Sequence, residues 1–205
     1  ARLLATPVVV AADMDDMRPA NRAVLARALG TEGLPRSALA VPLRAGVVLS
    51  LERMARIVKI DPANRVIVAE PGVTNQAVQD AARAVGFFWP PDPTSAAFCT
   101  VGGNLAHNAA GPRAVKYGTT RENVLGLRAV TGTGAEIHTG VYTTKGVVGY
   151  DLTRLIIGSE GTLAIITEAT LKLTPLPQAL RTLQATYASM TDGAAAVARI
   201  MAQPV

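Results

Sequence analysis

An α+β fold is predicted by three observations. Short runs rich in Val, Ile and Leu recur along the chain, two pairs of them flank turn-forming tetrapeptides as hairpins do, and stretches with helical spacing begin at capping residues and end at glycines. At 205 residues and 49% apolar content the chain is long enough for one to two domains with a real core. Its 17% of charged residues is far from the composition of disordered chains.

Residues 7–12 (PVVVAA) read as a short buried strand, and Asp13 caps a helix carrying Met14, Met17, Val24, Leu25 and Leu29 as far as Gly30. Residues 31–45 have no clear period, whereas 46–51 (GVVLSL) read as a strand. Residues 56–60 and 65–70 form a hairpin about Asp61-Pro62-Ala63-Asn64, whose residue types favour a tight turn. Pro71-Gly72 ends that strand. Thr74 then caps a helix with Ala77, Val78, Ala81, Ala82 and Val85 on its apolar face, and Gly86 stops it.

From 89 to 118 the chain is rich in Pro, Gly, Asn, Ser and Thr and has little periodicity, and so long an irregular stretch in a compact domain is usually functional. Residues 124–130 and 135–139 make a second hairpin about Thr131-Gly132-Thr133-Gly134, and Asp151 opens a short helix ending near Gly158. Residues 163–174 are a strand with Leu163, Ile165, Thr167, Ala169, Leu171 and Leu173 on one face and Glu168, Thr170 and Lys172 on the other. After Pro175-Leu176-Pro177, residues 180–187 read as a strand and 192–201 as an amphipathic helix, the start of a second domain.

Composition excludes several functions. No run approaches the roughly 20 apolar residues of a membrane span, and the N-terminal residues lack a signal-peptide pattern, so the expected location is cytoplasmic, with peripheral attachment at the inner membrane face as the variant. One cysteine, Cys99, allows no internal disulfide, and two histidines, His107 and His138, give no metal-ligand cluster. The net charge of +5 comes from 16 Arg and 4 Lys scattered singly among 15 acids, with only 4% aromatics. No basic stripe or nucleic-acid motif results, and a small anionic ligand suits the charge better.

Two segments carry chemistry. In Cys99-Thr100-Val101-Gly102-Gly103-Asn104, followed by His107-Asn108-Ala109-Ala110-Gly111, paired glycines without Cβ atoms let backbone N–H groups converge on an anion such as a pyrophosphate. Such a pair also serves as an ordinary turn. Gly158-Ser159-Glu160-Gly161-Thr162-Leu163 is equally readable as a helix C-terminus and as a ligand contact. Neither G-x-G-x-x-G nor G-x-x-x-x-G-K-[ST] is present, which disfavours Rossmann and P-loop sites.

The ordered set PPDPTS, CTVGGN, HNAAG, KYG, GYDL and GSEGTLAIITEATLKLTP resembles the FAD-binding domain of the FAD-linked oxidases of the vanillyl-alcohol oxidase and p-cresol methylhydroxylase (PCMH) superfamily. It is most similar to the glycolate oxidase D-subunit and D-lactate dehydrogenase branch, over about residues 7–177. The resemblance implies a PCMH-type domain over residues 1–178, made of two α/β subdomains with non-covalent FAD between them, and the beginning of a substrate-binding cap over 179–205. It places Asp92, Pro93, Thr94, Ser95, Cys99, Thr100, Gly102, Gly103 and Asn104 along the isoalloxazine ring and pyrophosphate, with Asn108, Gly111, Tyr117 and Gly118 continuing that wall. Glu160, Gly161, Ile166 and Thr167 then face the ribose and adenine, Ile166 through its main chain, and Pro71-Gly72-Val73 is a structural turn.

The implied activity is oxidation of a D-2-hydroxy acid such as glycolate or D-lactate, its Cα hydride passing to flavin N5. The base and the carboxylate-binding cations are supplied in relatives by the cap and C-terminal regions. The alternative is an FAD-holding subunit that relays electrons within a complex. Implied partners are the anionic substrate, an electron acceptor or redox subunit, and a second copy in a homo-oligomer.

The sequence departs from the family pattern at Gly33-Leu34-Pro35-Arg36-Ser37-Ala38, where a first glycine-rich loop is expected: the loop is either deleted or missing from the sequence. Relatives also often carry Glu where His107 stands and Gly where Ala110 stands. His107 is a candidate to orient substrate or tune the flavin, weighed against a structural role, and His138 reads as structural. Cys99 reads as packing rather than a flavin attachment point. Lys116 and Arg113 are either phosphate partners or solvated surface charges. Phe87, Phe88 and Trp89 read as packing beneath the loop rather than as stacking partners.

Overall fold

In a computed structural model, which describes residues 49–203 together with Val8–Val9, the two hairpins expected from the sequence share one sheet. The helix expected over 13–30, the aperiodic residues 31–45 and the Gly33–Ala38 departure lie outside the described residues, as do most of the first two strands. Of those strands β1 (Val8–Val9) and β2 (Leu49–Ser50) are described, and they pair in parallel.

The main sheet has five strands, all antiparallel, in the order β3 (Ile57–Asp61), β4 (Val66–Ala69), β8 (Ala164–Lys172), β6 (Val124–Thr131), β7 (Glu136–Gly140). The β3–β4 turn forms because the Asp61 carboxylate accepts from the Asn64 main-chain N–H at 3.1 Å and from its side-chain amide at 2.9 Å. Every residue of β4 is buried, so both faces of the sheet are covered there. At its far end Glu70, 6% exposed, holds Arg56 through Oε1 at 2.7 Å from Nη2.

Strand β8 corrects the predicted alternation. Ala169, Leu171 and Leu173 are buried as expected, but in the first half Ala164 and Ile166 point inward while Leu163 is 48% exposed. Arg128 pairs with Glu168 and Ala129 with Ile166, which leaves Thr167 as an extra residue. A one-residue bulge reverses every side chain beyond it.

Helix α1 (Asn75–Ala84) starts where predicted, with Thr74 Oγ1 accepting from Ala77 N–H at 3.2 Å. Its buried face is Asn75, Val78, Gln79 and Ala82, so the expected Ala77 is replaced inside by two amides. The reason is the proline-rich segment beneath. Gln79 Nε2 donates to Trp89 O at 2.6 Å and Asn75 Nδ2 to Pro91 O at 3.1 Å, serving carbonyls that no ladder reaches. Strand β5 (Phe87–Phe88) pairs with β9 (Thr174–Pro175), and Trp89 is fully buried with its Nε1 donating to Asn123 O at 3.0 Å, the packing role predicted for it.

The stretch over 89–118 is less irregular than its composition predicts. It contains α2 (Val101–His107) and α3 (Ala114–Tyr117). Helix α4 (Leu152–Ile156) is capped by Asp151, whose Oδ1 accepts from Arg154 N–H at 2.9 Å. Residues 180–187 are not a strand: they have no ladder partner among the described residues and are exposed throughout. Helix α5 (Met190–Met201) begins two residues before the predicted start because Ser189 caps it, and only its Ala196 is buried.

Candidate functional site

Helix α2 is built by docking rather than by intrinsic preference, since glycine weakens a helix. Thr100 Oγ1 accepts from Gly103 N–H at 3.2 Å, while the N–H groups of Val101 and Gly102 donate to Val73 O and Pro71 O, each at 2.7 Å. A Cβ on Gly102 would stand 2.7 Å from Pro71 Cβ, so glycine is there to let two backbones meet. The amides of Gly102 and Gly103 are paired within the protein.

The segment before α2 is fixed in the same way. Residues 94–98 form a turn in which Ala96 N–H donates to Pro93 O and Cys99 N–H to Ser95 O, and the turn's carbonyls in turn receive the first amides of α1, Asn75 to Cys99 O and Gln76 to Ala96 O. Thr94 and Ser95 are left exposed. Burial pushes the half-buried Cys99 thiol up, which keeps it protonated near neutral pH. Asp92 is neutralised by Arg113, with Oδ2 3.1 Å from Nε, and Gly111 passes so close to Asp92 that a Cβ would collide with it. Arg113 also lies over the Phe88 ring at 5.2 Å, and Lys116 over the Tyr117 ring at 5.4 Å.

At the other end of α2, Asn108 takes a left-handed conformation (φ 50°) that asparagine tolerates. Its Oδ1 accepts from Arg121 N–H at 2.9 Å and stands 2.8 Å from Thr119 Oγ1. Tyr117 packs edge-on against Phe88 at 5.3 Å, and Gly118 (φ 78°) abuts the Glu122 side chain. The Thr119 hydroxyl and N–H hold the Glu122 carboxyl below its usual range.

The second motif closes onto this end of α2. Gly158 N–H donates to Leu105 O at 2.9 Å and Glu160 N–H to Ala106 O at 3.0 Å, which joins segments separated by more than fifty residues. His107 Nδ1 stands 3.6 Å from Glu160 Oε1. Arg121, absent from the sequence prediction, completes the junction by donating from Nη2 to Ile157 O at 2.9 Å. Thus Thr100, Gly102, Gly103, Asn104, Asn108, Glu160 and Gly161 are gathered around one short helix. Ile166, 8% exposed, is held instead in the β6–β8 ladder, and Thr167 is the bulged residue beside it.

Three buried polar atoms at this junction lack a hydrogen-bond partner: Asn104 Nδ2, Arg121 Nε and Ser159 Oγ. Unpaired buried donors are uncommon, and each one needs an explanation. Among the described residues no cluster of three or more His, Cys, Asp or Glu could hold a metal ion, and no helix is long and apolar enough to cross a membrane.

A family model described as an FAD binding domain matches residues 5–140, and the chain belongs to that family. Glycolate oxidase subunit GlcD of Bacillus subtilis is 43% identical over 164 residues, covering 80% of this chain and 35% of the relative. D-lactate dehydrogenase of Archaeoglobus fulgidus is 45% identical over 153 residues, 75% of this chain and 34% of that protein. D-2-hydroxyglutarate dehydrogenase of Xanthomonas citri pv. viticola is 42% identical over 148 residues, 72% and 31%. The structure of alkyldihydroxyacetonephosphate synthase superposes with a TM-score of 0.58 at 30% identity, over 70% of this chain and 28% of the other. The chain spans about a third of the length of these relatives.

The cofactor of the family is therefore FAD, and the junction suits it chemically. Its unpaired atoms are an amide donor, a hydroxyl and a guanidinium nitrogen, which match the oxygen-rich, anionic surface of a dinucleotide. Asp92, the carboxylate on the 89–118 side, is neutralised by Arg113.

Proposed function

We propose that the protein is an FAD-dependent oxidoreductase of D-2-hydroxy acids, of the glycolate and D-lactate class, in which this chain supplies the cofactor-holding part. The observation that carries this reading is the set of relatives at about 40% identity, whose names share a 2-hydroxy acid as substrate. Bound FAD supplies the two-electron acceptor for the hydride leaving the substrate Cα.

This chain's residues position and shield. Asn104 and Ser159 would offer their unpaired donors to the cofactor, and the exposed Thr94 and Ser95 hydroxyls would flank it. Gly102 and Gly103 keep the α2 wall thin, and the Asn108 and Gly158 contacts hold the two motifs at fixed spacing. Asp92, Pro93, Cys99, Gly111, Tyr117 and Gly118 would line the flavin side and Glu160, Gly161, Ile166 and Thr167 the adenosine side. Residues 179–205 would begin the cap, which together with later regions supplies the base and the cations for the substrate carboxylate. His107, whose Nδ1 stands 3.6 Å from Glu160 Oε1, would be the candidate to orient substrate or tune the flavin.

The test is anaerobic mixing of the full-length flavoprotein with D-lactate or glycolate. Loss of flavin absorbance with these acids, but not with L-lactate or NADPH, is the expected result. A flavin that bleaches only with a redox partner favours the second reading, an electron-relaying subunit, which the word "subunit" in the name of the Bacillus subtilis relative supports.

A further inference from the structure

Arg121 is a cation with no ion-pair partner among the described residues. Its main-chain N–H donates to Asn108 Oδ1, its Nη2 donates to a neutral carbonyl, Ile157 O, and its Nε is buried and unpaired. The carboxylates nearby are engaged elsewhere, Glu122 with Thr119 and Glu160 with His107. The guanidinium also packs on the turn itself, since a Cβ on Gly158 would come within 2.9 Å of Nη2. A half-buried charge without a counter-ion is costly, and such a charge is kept where a ligand supplies the opposite sign.

Its place in the fold says which part of the ligand that is. The segment at Asn108 is proposed above for the flavin side of FAD and the segment at Gly158–Gly161 for the adenosine side. The diphosphate joins those two halves covalently, and Arg121 joins those two segments by hydrogen bonds. The first-turn amides of α2, the obvious alternative, are paired with Pro71, Val73 and Thr100. We propose that Arg121 is the residue that compensates the diphosphate charge of FAD and so selects the dinucleotide over flavins without phosphate. The inference rests on the site reading above.

The experiment is equilibrium dialysis of the full-length apoprotein with FAD and, separately, with riboflavin, which lacks the diphosphate. Binding of both by the unsubstituted protein tests the site reading. For Arg121→Gln, the FAD dissociation constant should rise about 10- to 100-fold, the size of one charge-assisted hydrogen bond, and by clearly more than that of riboflavin. Arg121→Lys, which keeps the charge and loses the planar contact to Ile157, should retain most of the FAD affinity. Equal weakening of FAD and riboflavin in Arg121→Gln, or no weakening of either, overturns the proposal. If Arg121→Gln does not fold, Arg121→Lys decides: retained FAD affinity supports the charge role, and joint loss of both ligands overturns it.

Discussion

The junction between α2 and the 157–161 turn and the loop over residues 141–151 both connect parts of the chain far apart in sequence, but they are made from different material. The junction is held by main-chain bonds, Gly158 to Leu105 and Glu160 to Ala106. The loop crosses the end of the sheet with Val148 and Tyr150 each 95% exposed. It is tethered by the Tyr142 hydroxyl, 3.3 Å from Asp61 and 3.1 Å from Lys59, and arches over a cavity of about 280 Å³ lined by Leu125, Gly140, Asp151 and Lys172 among others. Backbone contacts fix a geometry to within tenths of an ångström, whereas exposed polar side chains only favour one. On the proposed reading, cofactor geometry is entrusted to the junction.

The sharpest way to break this contrast is to empty the core under the junction. Trp89→Ala removes a fully buried ring and the hydrogen bond to Asn123, and should cost about 3–5 kcal/mol in urea unfolding of the full-length apoprotein. Gly102→Ala pushes α2 off Pro71 and should cost about 1–3 kcal/mol, with weaker FAD retention on gel filtration. A pH series sharpens the comparison at the sheet. Hydrogen bonds from Arg56 hold the Glu70 carboxyl below its ordinary 4.5, so its contribution to stability is complete at neutral pH and is lost as pH falls through the acid range below that value. Glu70→Gln should flatten that part of the stability profile, as read by thermal unfolding. The smallest effect is expected in the loop, where Tyr142→Phe should change stability by less than about 0.5 kcal/mol.

What was legible in the sequence was local. Asp61 and Asn64 make their turn within four residues, and Thr74 and Asp151 cap helices three residues away, so each signal is complete in a short window. Helix α2 was hidden because Gly102 and Gly103 argue against a helix, and what stabilises it comes from Pro71 and Val73, about thirty residues earlier. The Thr167 bulge was hidden because register belongs to a pair of strands, here β6 and β8. Residues 180–187 read as a strand, but a strand needs a neighbour and none of the described residues provides one. At the candidate site, the family resemblance named Asn104, Asn108 and Glu160, which the structure gathers around α2. Arg121 was missed because its partner, Ile157, is 36 residues away and is met through a carbonyl that carries no sequence signature.

The two amides on the inner face of α1 carry one more consequence. Asn75 and Gln79 hold Pro91 and Trp89 solely as donors, so chemical ageing by deamidation would set a carboxylate oxygen against a carbonyl oxygen in a place water hardly reaches. One atom's exchange would turn a clasp into a wedge. The resulting loss on prolonged storage would begin at this proline bend, with the turn that receives the first amides of α1 next to follow.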